Sequence, residues 1–383
     1  MSRRVLQAAM NATLCAACQS EGSAQRTATG DRPFIVAEVA DFETPWAMAF
    51  LPGSGVPLTN AALLSEREGK LWLVDVSSGK RTQVSGVPAV VVAGQGGLGD
   101  VMPHPDFAGN RRVYLSYVEA GPNGTSGAAL GYGTLDLGNP SAPALTGFKV
   151  IWRQQPKVTG NGHFAHRIAF GPDGFLYLTS GDRQKMQPAQ EFNGNLGKVL
   201  RLTHEGAPAP GNPWASRGGV AAEFWSIGHR NLLGIHFAPD GRLWESEMGP
   251  EGGDEINLIL PGKNYGWPRA SNGSHYGGGG IPDHKAGDGF ESPKVWWTPS
   301  ISPGALMIYT GDKFPQWKGD ALVGALSGEA LIRVDIEGDR ATKADEWPMN
   351  ARIRAIDQGP DGSVYLLQDG NSGGKLLRLD PAV

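Results

Sequence analysis

A short phrase recurs along this chain, and it limits the fold more than any other feature. The copies are AMAFLPGSG near residue 47, IAFGPDGFLYLTSGD from Ile168, IHFAPDGRLWESE from Ile235 and IDQGPDGSVYLLQD from Ile356. Each reads as strand, turn, strand. An apolar arm runs into Pro-Asp-Gly, whose glycine accepts the positive φ of a tight reversal, and the returning arm alternates large apolar with small or polar residues. Degenerate copies stand at VMPHPDFAGNRRVYLSYV and DALVGALSGEALIRVDI. A period of about 50 to 70 residues is too long for one hairpin and suits a four-stranded blade with a long loop. About six such units fit the chain, which predicts an all-β, six-bladed β-propeller of four-stranded antiparallel blades over residues 32–383. A β-sandwich or a pair of smaller barrels is the competing architecture, but neither needs a Pro-Asp-Gly hairpin at this period. The 56 glycines and 28 prolines are scattered between short apolar runs, as many turns require.

A net charge of −4, with 19% charged residues and no sustained basic run, argues against nucleic acid and for small-molecule partners. No apolar run approaches the roughly 18 residues of a membrane span. Residues 1–31 read as a leader and linker: Arg3 and Arg4, a mildly apolar run, then small residues, as in a secretory signal. Export to the periplasm is the expectation, and Ala16-Ala17-Cys18 also fits a lipoprotein site with Cys18 carrying the anchor. Cys15 and Cys18 are the only two cysteines, so the predicted domain has no disulfide, and no second pair completes a zinc site. No heptad suggests assembly, and a monomer is expected.

Several stretches are richer in glycine and polar residues than a blade needs: GQGGLGDVMPHPDF, NGHFAHRIAF, WSIGHRNLLG, EMGPEGGDEINLILPGKNYGWP and ARIRAIDQGPDG. Arg352 and Arg354 stand two apart on a strand-like segment and so share a face, where they suit either surface carboxylates or an anionic ligand. Gln95 lies in the glycine-rich run Gly94–Gly99, which lets backbone approach a ligand but lacks a phosphate-loop ending. A histidine can take a hydroxyl proton near neutral pH, although most of the eight here must do something else. The run Glu251-Gly252-Gly253-Asp254-Glu255 offers oxygens that suit a hard cation, without the spacing of an EF-hand.

Together with ETPWAMAF and QEFNGNLGKVLRL, these stretches match in kind and order the landmarks of the soluble aldose sugar dehydrogenases that use pyrroloquinoline quinone (PQQ) and calcium. The chain resembles that family over nearly everything after the leader. The resemblance implies His163 as the catalytic base, and Gln95, Arg230, Asn231, Tyr276, the segment Ala325-Leu326-Ser327 and the run Arg352-Ile353-Arg354 as cofactor-binding residues. It implies that the Gly249-Pro250 carbonyls hold the calcium that touches the quinone, and that Glu255 and Tyr265 serve a separate structural calcium. The implied reaction is oxidation of an aldose at C1 to the lactone, with electrons passed to an unidentified external acceptor. The chain departs from the family at Ser327, where relatives carry a lysine that reaches the quinone, at Gly304-Ala305, and at His166, where many have glycine. A calcium-dependent lactonase-type propeller and a non-catalytic sugar- or protein-binding propeller are the competing readings.

Overall fold

The computed structural model describes residues 32–53 and 60–382; the predicted leader, Cys18 included, lies outside them. Three Pro-Asp-Gly turns show how the repeat is built. In the copy at Ile168, Gly171 N–H donates to Phe175 O at 2.8 Å and Asp173 Oδ1 accepts Phe175 N–H at 3.3 Å. Asp240 accepts from Arg242 N–H (3.0 Å) and Asp361 from Ser363 N–H (3.1 Å) in the same way. Gly174, Gly241 and Gly362 sit at φ +79°, +86° and +83°, a conformation that costs glycine little.

Each turn joins the first two strands of a four-stranded antiparallel sheet, and six such sheets form the ring. Blade 1 is Pro45–Phe50, Ala61–Glu66, Lys70–Asp75 and Lys80–Val84. Blade 2 is Leu98–Pro103, Arg112–Ala120, Ser126–Asp136 and Ala144–Arg153, with a short helix, Phe107–Asn110, in its first turn. Blade 3 is Ala165–Phe170, Leu176–Ser180, Lys198–Leu202 and Phe224–Ile227, and blade 4 is Leu232–Phe237, Leu243–Glu247, Asp254–Ile259 and Val295–Trp297. Blade 5 is Pro303–Ile308, Ala321–Ala325, Ala330–Glu337 and Arg340–Pro348. Blade 6 comprises Ile353–Gln358, Val364–Gln368 and Lys375–Pro381, completed by Phe34–Asp41 from the other end of the described chain, which closes the ring. The degenerate copy DALVGALSGEALIRVDI is displaced from its expected place. It forms the second and third strands of blade 5 rather than an inner hairpin, because the inner turn there is the longer segment 309–320.

Adjacent residues of a strand face opposite sides, so a blade between two neighbours must be apolar on both. Leu63 packs toward blade 2 with Leu98 and Leu115, while Leu64 packs toward blade 6 with Ala355 and Leu367. Six such layers alternate with the six blades, and the inner strands are buried almost throughout. The outer strands Arg340–Pro348 and Phe34–Asp41 are mostly exposed or half-buried, with Ala341, Trp347 and Phe34 turned inward.

Candidate functional site: the cleft over the central channel

All six inner strands shift register after their first residue or two, opposite Ala47, Val101, Ile168, Gly234, Ala305 and Ala355. Such bulges re-aim side chains. The displaced residues Trp46, His166, Leu233 and Arg354 line a cleft of about 280 Å³ with Gln95, Asn231, Leu326 and Arg352. Arg167, next to His166, turns down the axis instead. It donates to Leu233 O (2.9 Å) and Gly304 O (2.9 Å) and pairs with Asp100 (3.3 Å), which ties blade 3 to blades 4, 5 and 2 beneath the cleft.

The segment that carries His163 is strained. His163, Ala165 and His166 have φ of +50°, +58° and +62°, and for residues with side chains such angles persist only where the surroundings impose them. Gln95 Oε1 accepts His163 N–H at 2.7 Å, and Arg183 donates to Gly162 O at 2.9 Å while stacking 3.7 Å over Phe164. His163 Nδ1 lies 2.7 Å from Asp182 Oδ1. Asp182 is fully buried and also accepts Gln184 N–H (2.8 Å) and Trp267 Nε1–H (2.8 Å). An ionised carboxylate accepts only, so His163 carries its proton on Nδ1 and leaves the Nε2 lone pair free.

Arg230 donates from Nη1 to Met248 O (2.9 Å) and Gly249 O (2.6 Å), and its guanidinium lies over Trp267 and Tyr276 at 5.2 and 5.8 Å. Arg354 is bound to Asp369, with Nε at 3.0 Å, and stacks 4.5 Å over Trp46. Burial raises the Asp369 carboxyl, but the Arg354 charge and hydrogen bond, with the Asn371 N–H and the Arg352 charge, together outweigh it and hold the group below its usual range. Of the expected arginine pair, therefore, Arg354 already has a carboxylate partner, whereas Arg352 Nε is buried with none. Trp46 Nε1, Arg67 Nε and Asn231 Oδ1, also cleft residues, are equally without partners. Buried polar groups are rarely left so; the three N–H groups want a ligand rich in acceptor oxygens, and Asn231 Oδ1 wants a donor.

Glu245, Glu247 and Glu255 form a second cluster on one face of blade 4, around Asn257, whose amide reaches them at 3.2, 3.3 and 3.4 Å. His229 joins it, with Nδ1 2.9 Å from Glu247. Burial, then the Glu247 charge, pushes Glu245 and Glu255 well above the ordinary carboxylate range. Glu245 Oε1 and Asn257 Oδ1 are buried without partners. Asp254 plays another part: it accepts Gly249 N–H (2.8 Å), Ile301 N–H (2.7 Å) and Ser302 N–H (2.7 Å), and so fastens the Gly249-Pro250 turn to the entry of blade 5.

Residues 42–378 match the model of the glucose/sorbosone dehydrogenase family. The chain belongs to that family. It is 39% identical over 342 residues to the aldose sugar dehydrogenase YliI of Escherichia coli K12, covering 88% of this chain and 90% of that protein. The crystal structure of the soluble E. coli aldose sugar dehydrogenase in its apo form superposes with a TM-score of 0.85 at 38% identity, over 91% of this chain and 100% of that one. The PQQ-bound aldose sugar dehydrogenase of Streptomyces coelicolor gives 0.74 at 28% identity, over 91% and 98%.

Within this glucose/sorbosone dehydrogenase fold, Gln95, Asn231, Leu326, Arg352 and Arg354 share one cleft. His163 adjoins it through Gln95, and Arg230 through the Met248 carbonyl, while Tyr276 is exposed next to Arg230 and is not among the residues that line the cleft. Ala325 and Ile353 turn their side chains into the layers between blades. Ser327 is exposed beside Leu326, its hydroxyl 2.8 Å from that of Ser302. Glu255 and Tyr265 border a separate hollow with Glu247, and the Tyr265 hydroxyl is engaged locally, donating to Leu258 O at 2.6 Å. Sequence reasoning missed Asp182, Trp267, Trp46 and Arg67. A signal for the first existed: second strands end in or just before an acid at Glu66, Asp182, Glu247 and Asp369, and each clamps a group at the channel mouth.

Proposed function

We propose that this chain is a PQQ- and calcium-dependent dehydrogenase that oxidises an aldose at C1 to its lactone and passes the electrons to an external acceptor. The observation that carries the reading is a base, His163, oriented by buried Asp182 at the edge of a cleft with unpartnered buried groups on Trp46, Arg67, Asn231 and Arg352. Three donors of that kind, with the arginine charges, suit a tricarboxylate quinone, and a PQQ-bound relative shares the fold. The acidic cluster on blade 4 likewise fits a hard cation, because three buried carboxyl groups stand together with two unpartnered oxygens, Glu245 Oε1 and Asn257 Oδ1, and among the described residues no lysine or arginine side chain bonds to them. Glu255 would be a ligand there with the Tyr265 segment, and the Gly249-Pro250 turn would serve calcium on the cofactor side.

When bound, the quinone would accept the hydride and calcium would polarise its carbonyl. The residues of the chain do the rest. His163 Nε2 takes the C1 hydroxyl proton, and Asp182 stabilises the imidazolium that results. Arg230, held by the Met248 and Gly249 carbonyls and close to the Trp267 and Tyr276 rings, supplies a fixed positive charge beside the cleft. A lactonase would need a metal and a base in the cleft, but among the described residues the one His/Glu group close enough to share an ion is His229, Glu245 and Glu247, none of which lines it.

The test is titration of purified, chelated protein with PQQ, with and without calcium, followed by quinone absorbance, and then addition of glucose and other aldoses. Saturable calcium-dependent binding followed by reduction supports the reading. Absence of binding at micromolar quinone, or binding without reduction by any aldose, refutes it.

A further inference from the structure

His166 is a cleft residue to which the chemistry above gives no task. It stands in the bulge of the blade 3 inner strand and is 2% exposed. Its ring fills space that only a glycine opposite leaves open, since a Cβ on Gly99 would lie 1.9 Å from His166 Cε1. Nδ1 is 2.8 Å from Ser116 Oγ.

The tautomer follows from Ser116. That hydroxyl is fully buried and already accepts Asp100 N–H at 2.9 Å. Its own proton has one acceptor in reach, His166 Nδ1. Were the ring to donate instead, the serine proton would be buried without a partner, which folded proteins avoid. Burial, with the neighbouring Arg167 charge, pushes the imidazole down to about 3, so the ring is neutral. A neutral ring that accepts at Nδ1 carries its proton on Nε2. Among the described residues Nε2 has no hydrogen-bond partner, yet it is not one of the sealed, unpartnered atoms, and the residue lines the cleft with Asn231, Arg352 and Arg354. The free N–H therefore faces the cleft.

We propose that His166 is a specificity-determining residue of the cofactor site, a fixed neutral donor that presents Nε2–H to an acceptor oxygen of the bound quinone carboxylate. The assignment rests on the PQQ reading above. It names the cofactor rather than the sugar because His166 belongs to the bulge layer that also holds Trp46 and Arg354, at the level of the channel. A neutral donor there adds orientation to a site whose arginines already supply charge.

Two variants separate the N–H from bulk. His166→Gln keeps a donor at similar reach, His166→Leu fills similar space without one, and both carry the same backbone strain. In titrations of calcium-loaded protein with PQQ and no sugar, His166→Leu is expected to raise the Kd about five- to tenfold and His166→Gln no more than about twofold. Equal affinity for wild type and His166→Leu overturns the proposal. So does a rise in sugar KM with quinone affinity unchanged, which would set the donor against the substrate. A measurement on wild type covers the case in which a variant does not fold. Long-range ¹H–¹⁵N spectra of histidine-labelled protein are expected to show a neutral Nε2–H ring from about pH 5 to 8 whose resonance moves when PQQ is added. An Nδ1–H or charged ring overturns the donor assignment, as does an unmoved resonance at saturation. Failure of wild type to bind PQQ at all overturns the cofactor reading, and with it this assignment, while the spectra of the free protein still report the ring.

Discussion

Asp182→Asn is the substitution that bears most directly on the proposed base. Asp182 Oδ1 accepts from His163 Nδ1 and Gln184 N–H, and Oδ2 from Trp267 Nε1 and Met186 N–H, in a fully buried setting. Asparagine turns one of these oxygens into an NH₂ that must face two donors, whichever way the amide is set. Pointed at His163, it forces the proton onto Nε2 and removes the base. Pointed at Trp267, it leaves buried N–H groups unsatisfied and loosens the tether. The stability cost is about 2–4 kcal/mol from the lost and unpaired bonds. The catalytic cost is larger, about 10²- to 10⁴-fold in kcat, as expected when a base is held in the wrong tautomer. Dye-coupled turnover with saturating PQQ and calcium measures it, with quinone affinity as the control expected to change little. A folded Asp182→Asn protein with kcat within about tenfold of wild type would refute the claim that this carboxylate sets the proton position of His163.

Arg167→Met removes the axial guanidinium and strands Asp100 and the Leu233 and Gly304 carbonyls; a loss of about 3–5 kcal/mol is expected in urea unfolding, and a loss below about 1 kcal/mol would show the hub to be dispensable. Asp357 faces the lower channel with its carboxyl pushed up to about 7, chiefly by burial. The folded state then binds more protons than the unfolded state between about pH 4 and 7, so this group lowers stability as pH rises through that window. Asp357→Asn should flatten that part of the stability–pH curve, and an unchanged slope would contradict it. Ser327→Lys adds a cation next to the cleft residues Leu326 and Ser302, and should tighten PQQ binding about tenfold in the same absorbance titration. No gain would mean that position 327 does not reach the ligand.

What the sequence made legible was whatever depends on local chemistry. A Pro-Asp-Gly turn closes on its own atoms, Asp173 Oδ1 with Phe175 N–H, so each copy announces its hairpin without knowledge of the rest of the chain. Six blades then follow from their spacing. Blade 5 was read one strand out of place because its inner turn, 309–320, carries no such signature. The shared cleft of Gln95, Asn231, Leu326, Arg352 and Arg354 came from family resemblance rather than from periodicity. The roles of Asp369 and Asp182 depend on contacts between residues far apart along the chain or across a bulge. No local pattern shows that Arg354 spends its charge on Asp369 while Arg352 does not.

The bulges explain how a repetitive ring acquires a site that does not repeat. A regular inner strand would point alternate side chains into the layers on either side, leaving backbone at the channel mouth. One register shift per blade turns a residue or two inward at the same height, and at those positions the sequence is free to differ: Trp46, Gly99, His166, Leu233, Gly304 and Arg354. The acids at the ends of the second strands then fix what the bulges and turns present, as Asp369 does for Arg354, Asp182 for His163 and Glu247 for the Arg230 backbone. The interplay is visible at one pair of positions. Gly99 in the blade 2 bulge leaves the space that the His166 imidazole of the blade 3 bulge occupies, so a side chain at one requires its absence at the other. The cleft is thus shaped by compensation between neighbouring blades, and a substitution at either bulge should be read together with the residue facing it.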